Sequence, residues 1–171
     1  MVLKSKDCKP ANKADGNFGY ADLQKIQTGL EYFKKLLKCE FILAGGLTLH
    51  LFGIREEKPN DVDIIIDHID EAGIEILKRL CERKVEQWYG ENVVTIYHEG
   101  VKYDFFIKTD NPTATITVPN CTLMGCKVKD LGETIKEKRN MRRPKDVADL
   151  LKISKRIITN NELMEWSTAF K

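Results

Sequence analysis

The sequence predicts an α/β (α+β) domain, in which a mixed β-sheet is flanked by helices and followed by a short C-terminal helical tail. Three observations support this fold class. Amphipathic stretches, with apolar residues at steps of three and four, lie near both ends of the chain. The apolar run Phe41–Ala44 and the β-branched run Asp61–Ile66 lie between them. Turn residues at His98–Gly100 separate two further apolar runs, which indicates a β-hairpin.

The first part of the chain alternates helices with strands. Asp22 is a suitable N-cap for a helix that continues to about Lys38. One face of this helix carries an apolar stripe at helical spacing, which consists of Leu23, Ile26, Leu30, Phe33 and Leu37. A strand over Glu40–Ala44 then leads into the pair Gly45-Gly46 and a short helix that ends at Phe52.

The later part is predicted to contain strands first and helices afterwards. The expected elements are a strand over Asp61–Ile66, a helix over Glu71–Lys84, hairpin strands over Val93–Tyr97 and Val101–Ile107, and further strands over Thr113–Val118 and Thr122–Val128. Helices follow over Leu131–Asn140 and from Pro144, which suits a first helical turn, to Ile157. Thr159–Glu162 has the pattern of a capping box and predicts a final short helix.

The composition indicates one soluble domain. The 171 residues are 42% hydrophobic and 32% charged, so we expect a single domain over 1–171, with a core over 20–130 and a helical extension over 131–171. No apolar run approaches the roughly 20 residues needed to cross a bilayer. Met1–Lys6 lack the apolar stretch of a signal peptide. The five cysteines are irregularly spaced, which predicts free thiols. We therefore expect a cytoplasmic protein that does not associate with membranes.

Two aspartates and a glycine pair form the pattern that carries most chemical information. Asp61 and Asp63 stand at the head of a β-branched run, and strand alternation directs both side chains to one side of the sheet. Two carboxylates on one side can hold a hard cation such as Mg²⁺. Fifteen residues before Asp61, Gly45-Gly46 closes one apolar run and opens a helix. Backbone N–H groups at such a turn can meet a phosphate.

This layout resembles the nucleotidyltransferase superfamily, with its DNA polymerase beta-like minimal core. The signature is Ala44-Gly45-Gly46, fourteen intervening residues and Asp61-Val62-Asp63-Ile64. The family places a third carboxylate on a later strand, where Asp104 is the best match. Lys138 and the downstream run Arg143-Pro144-Lys145-Asp146 look like the motif of the abortive-infection toxin branch. The resemblance covers about residues 30–151.

The resemblance implies a role for each matched residue. Asp61, Asp63 and Asp104 would bind a pair of Mg²⁺ or Mn²⁺ ions and act in catalysis, with Asp104 helping to deprotonate the acceptor. The nucleoside triphosphate, ATP included, is implied to be the substrate. The residues implied to contact the nucleotide are the glycines of the turn, three basic residues and one aspartate: Gly45, Gly46, Lys138, Arg143, Lys145 and Asp146. We also expect Lys138 to be exposed and unimportant for folding.

Several alternatives stay open at this stage. The acceptor would be a tRNA end, a protein side chain or a small molecule, and a partner protein or a second subunit would complete the acceptor site. The most specific version is the toxin of a toxin–antitoxin pair, for which the expected partner is an antitoxin or a helical partner protein. The fold is also compatible with a non-catalytic module that binds a nucleotide or a partner. Residues 129–145 hold seven basic and three acidic side chains, a local charge of +4 that suits a solvated helix face or RNA binding. Trp88 and Tyr89 would either stack on a nucleotide base or pack in the hydrophobic core.

Overall fold

The architecture is a single mixed sheet with helices packed against it. The computed structural model describes residues 20–56, 59, 61–81, 83–88, 91–108 and 113–159. Its helices are α1 (Tyr20–Leu37), α2 (Gly45–Leu51), α3 (Glu71–Leu80), α4 (Leu131–Met141) and α5 (Pro144–Thr159). Its strands are β1 (Ile42–Ala44), β2 (Val62–Ile66), β3 (Arg83–Trp88), β4 (Glu91–His98), β5 (Val101–Lys108), β6 (Thr117–Leu123) and β7 (Cys126–Lys129). The predicted mixed sheet with flanking helices is confirmed.

The strand order places β2 near the centre of the sheet. The seven strands run β3-β4-β5-β2-β1-β7-β6. Strand β2 is parallel to β5 and antiparallel to β1, while β1 is parallel to β7. In this register Asp63 lies opposite Asp104 of β5 on one side and opposite Ala44 of β1 on the other. The middle of the sheet therefore brings together residues that are far apart in the sequence.

The two faces of the sheet have different environments because side chains alternate along each strand. On one face, Phe33 of α1 packs edge-on against Tyr103 and Phe105 of β5, with ring centroids 5.1 and 5.3 Å apart. The predicted stripe of α1 is buried in this main core. Leu131 of α4 and Ile153 of α5 belong to the same core, so the C-terminal helices are part of one packed unit. The opposite face carries Asp63 and Asp104.

Three sequence predictions about the strands were wrong. Of the strand predicted over Thr113–Val118, only Thr117 and Val118 lie in a strand, where they begin β6. Helix α3 ends at Leu80 rather than near Lys84, and residues 83–88 form the edge strand β3, which pairs with β4. This strand depends on a neighbour that a local pattern does not reveal. The strand predicted over Thr122–Val128 is interrupted by a turn at Met124 and Gly125, both with positive φ. Gly125 adopts this left-handed conformation without steric strain, and β6 and β7 pair on either side of the turn.

Some predictions fall on parts of the chain that the structure does not describe. These are the final helix after Thr159–Glu162 and base stacking by Trp88 and Tyr89. The prediction that Asp22 is an N-cap was wrong, because α1 already includes Tyr20 and Asp22 therefore lies inside the helix. Across the described residues, each helix is too short or too polar to span a bilayer. The four described cysteines are free thiols, as predicted: Cys39, Cys81, Cys121 and Cys126.

The close packing of Gly29 against Tyr103 generates a first prediction. A Cβ atom at Gly29 would lie 2.1 Å from the Tyr103 hydroxyl oxygen, which is buried and lacks a hydrogen-bond partner among the described residues. Gly29→Ala should therefore lower the free energy of unfolding by about 1–3 kcal/mol, even though alanine favours the helix. Tyr103→Phe removes the opposing oxygen and should make Gly29→Ala less destabilising. A double-mutant cycle by urea denaturation measures this coupling, and additive effects would contradict the prediction.

Candidate metal centre

Two adjacent strands bring three carboxylates into one cluster. Asp63 of β2 and Asp104 of β5 are register partners, and Asp61 lies immediately before β2. A carboxylate oxygen from each of the three lies within 4.8 Å of the others. Asp104 is buried, whereas Asp61 and Asp63 are partly buried. The expectation that Asp104 lies beside β2, with its carboxylate on the same side as Asp61 and Asp63, is confirmed.

Cations and one hydroxyl surround the three acids. The Lys102 ammonium lies 3.6 Å from Asp104 Oδ2 and 3.8 Å from Asp61 Oδ2. The Thr95 hydroxyl, on β4, donates a hydrogen bond of 2.6 Å to Asp104 Oδ1. Lys145, exposed at the start of α5, is close enough to lower the pKa values of Asp61 and Asp63. The cluster is therefore only partly compensated by the protein's own positive charges.

Burial and mutual repulsion raise the pKa of two of the acids. Burial is the largest cause for Asp63, and the charges of Asp61 and Asp104 add to it, so the pKa of Asp63 lies at about 7. Burial and then the charge of Asp104 raise the pKa of Asp61. The ammonium groups of Lys102 and Lys145 act in the opposite direction. A bound divalent cation would likewise favour the ionised forms.

The glycine pair lies directly against this cluster. Gly45 has φ +68°, and a Cβ atom there would lie 2.0 Å from Asp63 Oδ2. A Cβ atom at Gly46 would lie 2.2 Å from Nη1 of Arg55. Position 45 therefore requires glycine, because its backbone is left-handed and the Asp63 carboxylate occupies the space of a side chain. A side chain at position 46 would have to displace the Arg55 guanidinium. The Thr48 hydroxyl donates to the Gly45 carbonyl oxygen at 2.7 Å and fixes the turn from within α2.

The donor set fits a hard divalent cation. All three ligands are carboxylates, the donor type that Mg²⁺ and Mn²⁺ prefer. Oxygen ligands on one ion at about 2.1 Å are separated from each other by roughly 3–4 Å, so an upper spacing of 4.8 Å needs only small side-chain adjustments. The raised pKa of Asp63 is consistent with a carboxylate that lacks a sufficient counter-charge. Asp61, Asp63 and Asp104 are thus the residues that would hold such an ion.

The predicted nucleotide contacts on the C-terminal helices form a separate ion-pair network. Lys138 contacts Asp146 at 3.4 Å and Asp149 at 2.9 Å. Arg143 donates to both carboxylate oxygens of Asp146. Asp149 also accepts hydrogen bonds from Arg55, the shortest at 2.8 Å. Asp146 has no exposed surface, because Lys138 and Arg143 engage its carboxylate; its contact with a nucleotide stays a prediction. Its physical role is to hold the two basic side chains in place.

The expectation that Lys138 is an exposed lysine was wrong. Its side chain is 13% exposed, and the carboxylates it meets are almost fully buried. Although burial alone favours the neutral acid, hydrogen bonds from Arg143 and the positive charges of Lys138 and Arg143 hold the pKa of Asp146 below its usual value. Lys145 is the member of the predicted basic group that acts on the acid cluster.

Ion pairs engage four of the seven basic residues in 129–145. Lys129 pairs with Glu137, and Lys136 pairs with Glu133. Two further basic residues, Lys138 and Arg143, pair with acids that lie beyond this window, as described above. Acidic partners therefore interrupt the basic character of this stretch, and RNA binding stays an untested alternative.

Sequence reasoning missed two residues that border the cluster, Lys102 and Thr95, and one that lies against Gly46, Arg55. Lys102 lies two positions before Asp104 on the same strand, so strand periodicity alone places both side chains on one face. Thr95 is the β4 register partner of Asp104, which the predicted hairpin pairing could have indicated. Arg55 carried no comparable signal, because its partner Asp149 is 94 residues away in the sequence.

Comparisons of this chain with protein-family models, with curated proteins and with solved structures found no match. The resemblance to nucleotidyltransferases accordingly rests on the motifs of the chain itself. The geometry of Asp61, Asp63 and Asp104 is an independent observation, because it comes from the register of β2 and β5.

The raised pKa of Asp63 predicts a specific pH dependence. An unfolded aspartate has a pKa of about 3.9, whereas folded Asp63 has a pKa of about 7. Between these values the folded state binds more protons, so metal-free protein should lose stability as the pH rises from about 4 to 7. Asp63→Asn should reduce this loss. Melting temperatures measured against pH with a chelator present test it, and Glu75→Gln, an exposed carboxylate on α3, is the control. Identical pH profiles for Asp63→Asn and the parent would contradict the assignment.

The buried network predicts that two lysines on α4 differ in their effect on stability. Lys138→Met leaves Asp146 and Asp149 without part of their counter-charge, and we expect a loss of about 3 kcal/mol in the free energy of unfolding. Lys136→Met removes only an exposed pair with Glu133 and should change that free energy by less than about 1 kcal/mol. Chemical denaturation compares the two variants. Equal effects would show that the buried network does not support the fold.

Proposed function

We propose that this chain is a metal-dependent nucleotidyltransferase, which moves a nucleoside monophosphate from a nucleoside triphosphate to a hydroxyl acceptor. One observation carries the proposal: carboxylates from adjacent strands, Asp61, Asp63 and Asp104, converge within 4.8 Å beside a turn made of two glycines. Phosphoryl chemistry requires a cation to be held at such a place, and this oxygen-only donor set suits it. The nucleotidyltransferase fold is part of the same proposal.

The proposed reaction is an in-line displacement at the α-phosphorus. The acceptor oxygen forms a bond to phosphorus, the bond to the bridging oxygen breaks, and pyrophosphate leaves with that electron pair. The acceptor proton passes to Asp104, the carboxylate predicted for this role. A divalent cation at the three carboxylates supplies Lewis-acid stabilisation of the phosphate oxygens. Thr95 holds the Asp104 carboxylate through a hydrogen bond of 2.6 Å and so fixes its orientation.

Lys145 is the basic residue whose position best supports contact with the triphosphate. It is exposed, and it acts electrostatically on Asp61 and Asp63. Its neighbour Asp146 is buried and tied to Lys138 and Arg143, so the start of α5 is fixed in position. An ammonium group there neutralises negative charge on an incoming triphosphate. Gly45 and Gly46 stay predicted contacts through their backbone.

The acceptor defines the biological role, and it is proposed here only as a class. A tRNA end, a protein side chain and a small molecule all present a hydroxyl group to the α-phosphorus. The toxin of a toxin–antitoxin pair is the form that the run Arg143-Pro144-Lys145-Asp146 favours. Fold-level analogy alone does not fix the substrate, so the experiment must identify the labelled product.

Label transfer from each of the four nucleoside triphosphates, labelled at the α-phosphate, tests the function. The protein is incubated with Mg²⁺ and a cell extract, and the products are separated into tRNA, protein and small molecules. We expect Mg²⁺-dependent labelling of one class, with release of pyrophosphate. Asp61→Asn combined with Asp63→Asn should abolish both label transfer and Mg²⁺-dependent triphosphate binding, while the variant stays folded.

A matched pair of lysine variants adds a binding test. Lys145→Ala should weaken triphosphate binding roughly 10-fold, in line with the loss of one charge-assisted contact. Lys25→Ala, an exposed lysine on α1, should leave affinity unchanged. If the parent binds no triphosphate with Mg²⁺ and transfers no label, the proposal is wrong. Triphosphate binding without transfer would instead favour a non-catalytic module.

A further inference from the structure

The Lys102 ammonium lies beside two of the three carboxylates of the cluster, Asp61 and Asp104. Lys102 precedes Asp104 by two residues on β5, so both side chains emerge from the same face of the sheet. Its ammonium lies between two of the acids, 3.6 Å from Asp104 Oδ2 and 3.8 Å from Asp61 Oδ2. The Lys102 side chain is 34% exposed and those of Asp61 and Asp104 are 31% and 11% exposed, so solvent screens these contacts only in part.

The oxygen atoms of the cluster are unequally available. Asp104 Oδ1 accepts the Thr95 hydroxyl, and Asp104 Oδ2 faces Lys102. Asp61 Oδ2 faces Lys102 as well. By contrast, no hydrogen bond to the Asp63 carboxylate is found in the described part of the chain, and its Oδ2 lies against Gly45. The open ligand atoms therefore centre on Asp63 and suffice for a single ion with additional water or phosphate ligands.

The charges of the cluster lead to the same conclusion. Three carboxylates carry three negative charges, and one divalent ion with the Lys102 ammonium already balances them before the nearby Lys145 ammonium is counted. A second divalent ion would lie within a few ångströms of that ammonium. At such separations, two like charges in a partly buried site repel each other strongly. Lys102 in its present position therefore disfavours the pair of metal ions expected from the sequence.

We propose that Lys102 takes the place of the second metal ion, and that the centre binds one divalent cation held by Asp61, Asp63 and Asp104. This inference rests on the proposed function and assigns the metal stoichiometry of its site. In the transfer reaction, the ammonium neutralises negative charge on the oxygen atoms bound to the α-phosphorus. In sites with two metals, the second ion supplies that stabilisation.

Counting bound Mn²⁺ tests the proposal without reference to activity. The full chain is titrated with Mn²⁺ alone, and bound ions are counted from the free Mn²⁺ signal in electron paramagnetic resonance. We expect one ion per chain in the parent and two in Lys102→Met and Lys102→Gln, with the spectrum of a spin-coupled pair. Lys102→Arg keeps the charge and should bind one. Lys108→Met removes a lysine that faces Asp67 at the other end of β5, and should also bind one.

Each outcome of the titration decides a different point. Two coupled ions in the parent would overturn the inference and leave the proposed function intact. One ion in both the parent and the charge-removing Lys102 variants would show that Lys102 does not occupy a cation position. No Mn²⁺ bound to the parent would overturn the proposed function together with the inference. Circular dichroism of each variant establishes that the comparison is made between folded proteins.

Discussion

Repulsion among three carboxylates is the constraint on which the rest of this structure depends. Asp61, Asp63 and Asp104 lie within 4.8 Å of one another in a partly buried position, where like charges cannot all be ionised without nearby cations. The ammonium groups of Lys102 and Lys145 offset part of this repulsion. Burial, with the charges of Asp61 and Asp104 added to it, nevertheless keeps the pKa of Asp63 at about 7, so compensation by the protein itself is incomplete. That incompleteness distinguishes the cluster from the fully paired acids on α5.

The sheet controls both the position of the cluster and its access. Parallel pairing of β2 with β5 sets Asp63 opposite Asp104, and alternation sends the next residue, Phe105, into the main core against Phe33. A slip of one residue in this register would exchange the two faces and bury the acids in an apolar layer. The hydrophobic core therefore fixes the register that the chemistry needs. Gly45, on the neighbouring chain segment, leaves room for the Asp63 carboxylate.

Local patterns in the sequence were sufficient to predict the acids but not their surroundings. Strand period two identified Asp61 and Asp63, and the family motif identified Asp104. The same period would have found Lys102. The network around Asp149 was out of reach, because Arg55 and Asp149 are 94 residues apart. Counting charge only as far as Lys145 also omitted Asp146, the acid on which Lys138 and Arg143 pair. Strand β3 was missed because its pairing with β4 decides its conformation.

The C-terminal helices contribute to the site through this network rather than as an appendage. Asp149 of α5 holds the guanidinium of Arg55, and Nη1 of Arg55 lies against Gly46. Asp146, also on α5, is fixed by Lys138 of α4 and by Arg143. Because Lys145 immediately precedes Asp146, these buried contacts determine where its ammonium stands relative to the acid cluster. The same pair of buried aspartates, Asp146 and Asp149, thus positions both the glycine turn and the Lys145 ammonium. This arrangement couples the stability of α4 and α5 to the electrostatics of the candidate metal centre.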